Sequence, residues 1–535
     1  MISDDTDRTP LNHRGNRPWH ALWPPGVPLT LDSPRLPAWW LLERNVGSFG
    51  SRVALRELDP SNGSEDRTTT YEQLYRAARG TAAGLGALGV TRASRVAFVL
   101  PNGRPLIVGY FATWLAGAVT VPANPLAPER ELEAQLVDAD VAVIVGETGS
   151  AAEAVAGTLR RRFVDRDSFD ALATEPPIAT PSGNADDLAV LLYTGGTTGP
   201  SKGVMLTHRN LVANCIQFAG WYAFERGDEV CVAALPMFHS GGMSGAMTVP
   251  LYAGATLLVF GRFQAPAVAR AVSRYRATRL FGVPTMYIAL MRDDEGRRAD
   301  YSSLRACRTN AAPLPPAIKR AFDEMVGREV LIEAYGLTEA SPLTHANPIM
   351  RARPGSIGIP LPDTDARIID LDTGKDCPTG TAGELLVRGP QVMAGYWRRP
   401  GETSTALANG WLHTGDVAVM EGDGYFSIVS RTKDIINTAG FKVWPREVED
   451  VLYGHPAVRM AAVIGVPDDY RGEAIKAYVV LKDDDHGRVT EADLRRYCRE
   501  RLTPYKIPRV IEFRADLPVT ASGKIQRHEL HDRMA

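Results

Sequence analysis

The chain has 535 residues, and its 60 Lys+Arg against 62 Asp+Glu leave a formal net charge of -2, too weak a field to draw nucleic acid or an anionic membrane surface. With 44% hydrophobic and 23% charged residues it reads as a globular protein of more than one domain, which excludes disorder, collagen and coiled coil. Five cysteines (Cys215, Cys231, Cys307, Cys377 and Cys498) form no C-x-x-C pair, so neither a zinc knuckle nor a disulfide framework is indicated and a reducing cytoplasm is the expected setting.

Met1 to Thr9 carries Asp4, Asp5 and Asp7 where an export signal needs a basic start followed by apolar residues. Pro10, Pro18, Pro24, Pro25, Pro28 and Pro34 make residues 1–35 an extended arm, expected to lie against the body. From Thr70 a helical stretch, Tyr71 to Leu88, gives way to β-branched runs at Arg95 to Leu100, Val119 to Pro122 and Val141 to Val145. That alternation predicts an α/β fold of parallel sheets covered by helices. Leu106 to Ala123 approaches the ~20 residues of a membrane span. Gly109, Thr113, Gly117, Thr120 and Pro122 interrupt it, so it reads as a buried helix entering a buried strand, and no transmembrane segment is expected.

Further strands are predicted at Leu188 to Leu192, Val204 to Leu206, Val230 to Ala234, Thr256 to Phe260 and Arg279 to Val283. Between about 354 and 429 short runs separated by Gly, Pro and Asp, among them Ala366 to Asp370, Gly383 to Arg388 and Tyr425 to Val429, predict a β-rich subdomain. The remainder reads as a small α+β domain. Pro445 opens a helix, Ala461 to Val466 and Ile475 to Leu481 are strands, and Thr490 with Asp493 forms a capping box for a helix to Leu502. The division expected is therefore 1–432 and a C-terminal domain over 433–535.

The strongest chemical signal runs from Tyr193 to Gly203. Gly195, Gly196 and Gly199 let backbone N-H groups approach an anion, Thr194, Thr197, Thr198 and Ser201 add hydroxyls, and Lys202 adds a point charge. The pattern is a phosphate cradle but not a Walker A loop, because Lys202 is followed by Gly203 rather than Ser or Thr.

This loop resembles the signature of the adenylate-forming superfamily, which contains acyl-CoA synthetases, luciferases and peptide-synthetase adenylation domains. Further motifs of that superfamily follow in order: Leu235 to His239, Asn310 to Leu314, Tyr335 to Glu339, Gly383 to Gly389, Trp411 to Asp416, Ser430 to Asp434 and Pro518 to Lys524. A chance match of the ordered set is negligible. Joining a carboxylate to the α-phosphate of ATP brings two anions together while pyrophosphate leaves, so positive charge and a metal are required. By resemblance, Glu339 would ligate Mg2+, Thr338 would touch the α-phosphate, and Thr194 to Lys202 would hold the β- and γ-phosphates. Tyr335 and Gly336 with Ala312 and Pro313 would form the adenine slot, Asp416 would accept the ribose hydroxyls and Arg431 would donate to the ribose. Lys524 would bridge carboxylate and α-phosphate, and Lys433 would be the hinge on which a mobile C-terminal domain turns. Asn310 and Ala311 depart from the common Gly-Gly-Ala-Pro form, which puts close backbone contacts there in question.

His239 resembles the residue beside the substrate carboxylate, and the absence of an Asp at that position argues against an α-amino acid substrate. Phe218, Gly241, Met243, Gly282, Val283 and Leu343 would line an acyl pocket or simply pack the core. Gly440, Phe441 and Lys442, before Pro445, resemble the loop that admits CoA, or form a plain turn. Trp19 and the run Pro24 to Pro28 resemble the arm of long-chain acyl-CoA synthetases. The activity implied is ATP-dependent formation of an acyl-AMP from a fatty or aryl acid, then transfer to CoA. An amide-bond synthetase or carrier-protein ligase would share the adenylation motifs, as would a luciferase-like oxygenase. A homodimer is left open.

Overall fold

The computed structural model describes residues 17–59, 61, 65–178, 181–194, 201–310, 312, 314–439, 441–468, 470–482, 485, 487–519 and 525–532. The seven-stranded sheet runs in the order Gly395–Tyr396, Lys202–Thr207, Leu188–Thr194, Val119–Pro122, Arg95–Val99, Val143–Gly146, Arg162–Asp165. Its inner strands pair in parallel, as expected. Leu188–Thr194 and Lys202–Thr207 instead pair antiparallel, with Thr194 opposite Lys202. The parallel pairing expected of the sheet does not extend to this pair: so short a connection allows only a hairpin, since a parallel crossover needs about a dozen residues. Arg104–Leu115 is buried along its whole length, which explains why it is apolar on every side. Among the described residues no helix is long and apolar enough to cross a membrane.

The nine-stranded sheet orders Ile359–Pro360, Leu343–Ala346, Leu331–Gly336, Ala306–Thr309, Arg279–Gly282, Val230–Ala233, Thr256–Phe260, Val53–Leu58, Glu65–Thr70. Its central strands are parallel and its margins antiparallel. Gly282 is in register with Thr309, and Thr309 with Glu333. The carboxyl ends of three strands therefore deliver Gly282, Asn310 and Tyr335 to one edge, the place where open α/β sheets bind ligands.

The arm is not wholly extended. Pro18–Leu22 is a 3-10 turn with proline at its first position, where the fixed φ and missing N-H are tolerated. It does lie on the body: Trp19 is buried, its ring centroid is 5.6 Å from that of Phe426, and Trp23 meets Trp221 at 5.2 Å. Gly424 has φ +95°, and a Cβ there would stand 2.5 Å from the Trp19 nitrogen, so this crossing requires glycine.

A four-stranded antiparallel sheet of Asp365–Ile369, Gly383–Arg388, Leu412–Met420 and Phe426–Arg431 forms the β-rich subdomain. Beyond it stands a five-stranded sheet containing the long hairpin Val458–Asp468 and Gly472–Leu481. Pro445–Tyr453 and Glu491–Arg499 pack on it over a separate core that includes Val448, Leu452, Val463 and Leu494. The Thr490–Asp493 capping box forms in both directions. Its helix stops at Arg499, short of Leu502.

Candidate active site

The site is assembled where the central strands of the nine-stranded sheet end. Leu331–Gly336 runs into the turn Thr338–Ala340, and a Cβ on Gly336 would lie 2.1 Å from the Pro342 carbonyl oxygen. Only glycine lets the turn fold back this closely. Tyr335 Oη donates to Asp416 Oδ2 at 2.6 Å, while Arg431 Nε lies 3.3 Å from Asp416 Oδ1. Asp416 and Arg431 are register partners on neighbouring strands, so backbone pairing sets the carboxylate between phenol and guanidinium. Burial, and then the Asp416 charge, push the Tyr335 phenol well above its usual range, keeping it a neutral donor.

Thr338 Oγ1 lies 3.2 Å from Ser240 Oγ. Glu339 Oε1 accepts from Tyr396 Oη at 2.9 Å, and the Glu339 carbonyl accepts from Met393 N at 2.8 Å. Lys202 pairs with Glu402 and stands 5.2 Å from the centroid of the Tyr396 ring. Tyr396 therefore couples the Thr338–Glu339 turn to Lys202, a link for which the sequence carries no signal. Thr194 ends its strand opposite Lys202; Gly195, Gly196, Thr197, Thr198 and Gly199 lie outside the described residues. Lys433 sits in the turn Thr432–Asp434, its ammonium held below its ordinary pKa by burial first and by Arg431 next, with Lys202 contributing. Three cations thus act on one region beside Asp416, an arrangement suited to a polyanion.

His239 is exposed and occupies the N-cap position of the short helix Ser240–Gly242 without a side-chain capping bond, its ring 4.5 Å from that of Phe238. A Cβ on Gly241 would stand 3.4 Å from Asn310 Nδ2, and Ser244 Oγ donates to the Ser341 carbonyl at 2.9 Å. The segment from His239 onward is thus wedged between the Thr338 turn and the end of Ala306–Thr309. Ala312 is half-buried nearby in sequence; Pro313 is outside the described residues.

Of the expected acyl-pocket residues, Phe218, Met243 and Leu343 are fully buried and Val283 nearly so. Phe218 packs on Phe281 with centroids 5.4 Å apart. A Cβ on Gly282 would press on Met286 and Tyr287 instead, so Gly282 does not share the face that Phe281 presents to Phe218. The same face carries a residue that the sequence reading missed, Arg308, whose guanidinium carbon lies 4.4 Å from the centroid of Phe218. An arginine in the apolar run Ala306–Thr309 was its signal.

In the C-terminal domain, Phe441 stacks on Tyr505 at 4.5 Å and Lys442 Nζ pairs with Asp372 at 2.9 Å. Gly440 and Lys524 lie outside the described residues.

The chain is 36% identical to a long-chain-fatty-acid–CoA ligase of Bacillus subtilis, covering 97% of this chain and 98% of that protein. It is 40% identical to a feruloyl-CoA synthase of Amycolatopsis, covering 87% and 94%. The crystal structure of ATP-bound MatB from Rhodopseudomonas palustris superposes with a TM-score of 0.85 at 31% identity, over 93% of this chain and 99% of that one. The AMP-binding enzyme model matches residues 42–397 and the AMP-binding enzyme C-terminal domain model residues 447–524, and the chain belongs to this family of AMP-binding enzymes.

Proposed function

We propose that the chain is an AMP-forming acid–CoA ligase that converts a carboxylic acid and ATP to an acyl-AMP and pyrophosphate, then passes the acyl group to CoA. The observation that carries this reading is the convergence of Tyr335, Asp416 and Arg431, with the charges of Lys202 and Lys433 acting on the same region. Tyr335 supplies a flat face for adenine and keeps Asp416 oriented toward the ribose hydroxyls. Arg431 donates to the ribose. Thr194 and the loop to Lys202 take the terminal phosphates, and Thr338, steadied by Ser240, faces the α-phosphate. His239 sits at the entrance for the substrate carboxylate, and Lys524 offsets the repulsion between the two anions as they meet.

No group of three or more His, Cys, Asp or Glu side chains suited to a metal occurs among the described residues. That fits Mg2+, which is commonly held by one or two carboxylates together with substrate phosphates and water. Glu339, oriented by Tyr396, would be its protein ligand, and the ion would neutralise phosphate charge. Names of similar proteins support a fatty or aryl acid as substrate and CoA as acceptor. Phe441 and Lys442 would border the CoA path after the C-terminal domain rotates about Lys433. A cytoplasmic enzyme, as a monomer or homodimer, is consistent with this reading.

The test is a carboxylic acid screen for pyrophosphate release, with and without CoA. Acid-dependent pyrophosphate and AMP, with a thioester once CoA is added, are expected. ADP formation, or amide formation from an amine with no response to CoA, overturns the reading.

A further inference from the structure

Arg308 is the centre of an unbalanced site. Its side chain is fully buried at 0% exposure, and Nε, Nη1 and Nη2 all lack a hydrogen-bond partner among the described residues, as does the nearby Tyr222 hydroxyl. The guanidinium faces two rings, with Cζ 4.4 Å from the Phe218 centroid and 5.1 Å from that of Phe281, and the Tyr222 ring stands 5.1 Å from Phe218. Cation–π contact with ring faces offsets part of the burial. It does nothing for the N-H groups in the guanidinium plane, and arginine stays protonated in proteins. A buried, unpaired charge is strongly unfavourable, yet no carboxylate pairs with Arg308 among the described residues.

The location relates this charge to the acyl path. Asn310 follows directly on the strand Ala306–Thr309 that carries Arg308. On the facing segment, Gly241 lies against Asn310, while one turn further on a Cβ at Gly245 would stand 2.8 Å from Arg308 Nη2. Gly245 belongs to the π-helix Met243–Thr248, an irregularity that often accompanies functional sites. Going from His239 and Thr338 past Gly241 to Gly245 therefore leads from the proposed reaction centre to the guanidinium.

We propose that Arg308, assisted by Tyr222, binds a second carboxylate at the far end of the acid substrate, making the preferred substrate a dicarboxylic acid activated at one end. The proposal rests on the ligase reading and replaces the fatty or aryl acid drawn from the names of similar proteins with a dicarboxylic one. A carboxylate matches the planar fork of donors in two parallel hydrogen bonds and supplies the missing countercharge. An alkyl terminus would leave donors and charge unpaired.

The experiment compares glutarate, adipate and pimelate with pentanoate, hexanoate and heptanoate, and with the monomethyl esters of the diacids, by pyrophosphate release without CoA. Wild-type enzyme should favour the best diacid over its mono-acid counterpart in kcat/KM by about ten- to a hundredfold, the worth of one buried polar group left unsatisfied. Arg308→Met should collapse that ratio to near one. Gly245→Ala, which crowds the guanidinium without removing its charge, should lower the same ratio and serves alone should Arg308→Met fail to fold. A wild-type preference for mono-acids, equal use of diacid and monomethyl ester, or a ratio unmoved by both variants overturns the assignment. Pyrophosphate release with mono-acids would still uphold the ligase reading in those cases; no release with any acid overturns both.

Discussion

Tyr335 and Asp416 are 81 positions apart in the chain, yet the phenol donates to the carboxylate across 2.6 Å. One comes from the end of a parallel strand, the other from the antiparallel subdomain, so their bond joins the nucleotide slot to the sheet that leads to the C-terminal domain. Arg431 holds the second carboxylate oxygen. Asp416 is thus held by a partner at each of its two oxygens.

Asp416→Asn should therefore weaken ATP use. The amide has one acceptor oxygen instead of two and presents donors to Arg431, so a charge-assisted bond is lost. Such bonds contribute about 1.5–3 kcal/mol, and the KM for ATP in pyrophosphate exchange should rise by roughly ten- to a hundredfold. Tyr335→Phe keeps the ring and removes only the orienting donor, so its effect should be smaller. An unchanged KM in Asp416→Asn would remove this residue from the ribose site.

Lys524 is assigned to the transition state rather than to binding. Removal of one such donor typically lowers the rate about 10^2- to 10^3-fold, and Lys524→Ala should show that loss in pyrophosphate exchange. Thioester formation from supplied acyl-AMP has no need of the bridge and should be much less affected. Equal loss in both half-reactions would count against the role.

The buried pair Glu229 and Arg279 makes a prediction about stability. Their side chains are 0% and 4% exposed and meet at 2.6 Å, with Thr278 also donating to Glu229. Burial pushes the Glu229 carboxyl up, but the bonds from Arg279 and Thr278 outweigh it and leave the pKa below its usual value. A lowered folded pKa means that this stabilisation is complete above the unfolded value and is lost as pH falls through the folded one. Glu229→Ala strands the guanidinium and should cost about 3–5 kcal/mol at neutral pH, read as a lower urea midpoint. The difference from wild type should shrink only under acid conditions, below the ordinary carboxylate range.

Local pattern made much of the fold legible. The helical stretch read at Tyr71 to Leu88 is the helix Tyr71–Ala87, and β-branched runs mark Val119–Pro122 and Thr256–Phe260. Motif order identified Tyr335, Asp416 and Arg431, which the structure brings together. What escaped were pairings between distant segments. The bond from Tyr396 to Glu339, the Lys202–Glu402 pair and the antiparallel margins of both large sheets depend on which elements become neighbours, and no period within one element encodes that. Arg308 escaped for another reason: a charge inside an apolar strand violates the pattern by which strands are recognised, and its meaning depends on Phe218 and Gly245, far away in sequence.

The last prediction concerns rotation of the C-terminal domain. Thr432–Asp434 forms a turn between the subdomain strand ending at Arg431 and the strand Ile436–Thr438. In this arrangement Lys442 is paired with Asp372 of the subdomain, and Arg446 Nη1 donates to the Ile428 carbonyl at 2.7 Å. Turning the domain about Lys433 must break contacts of this kind. The Lys442–Asp372 pair is half open to solvent and worth at most about 1 kcal/mol, so Asp372→Ala should change thioester formation no more than about fivefold. Lys433→Pro fixes φ at the pivot and should act very differently: acyl-AMP should accumulate while its conversion by CoA falls by an order of magnitude or more. Rapid quench of the two half-reactions separates the cases. Matching losses in both steps for Lys433→Pro, or a large effect of Asp372→Ala alone, would move the pivot away from Lys433.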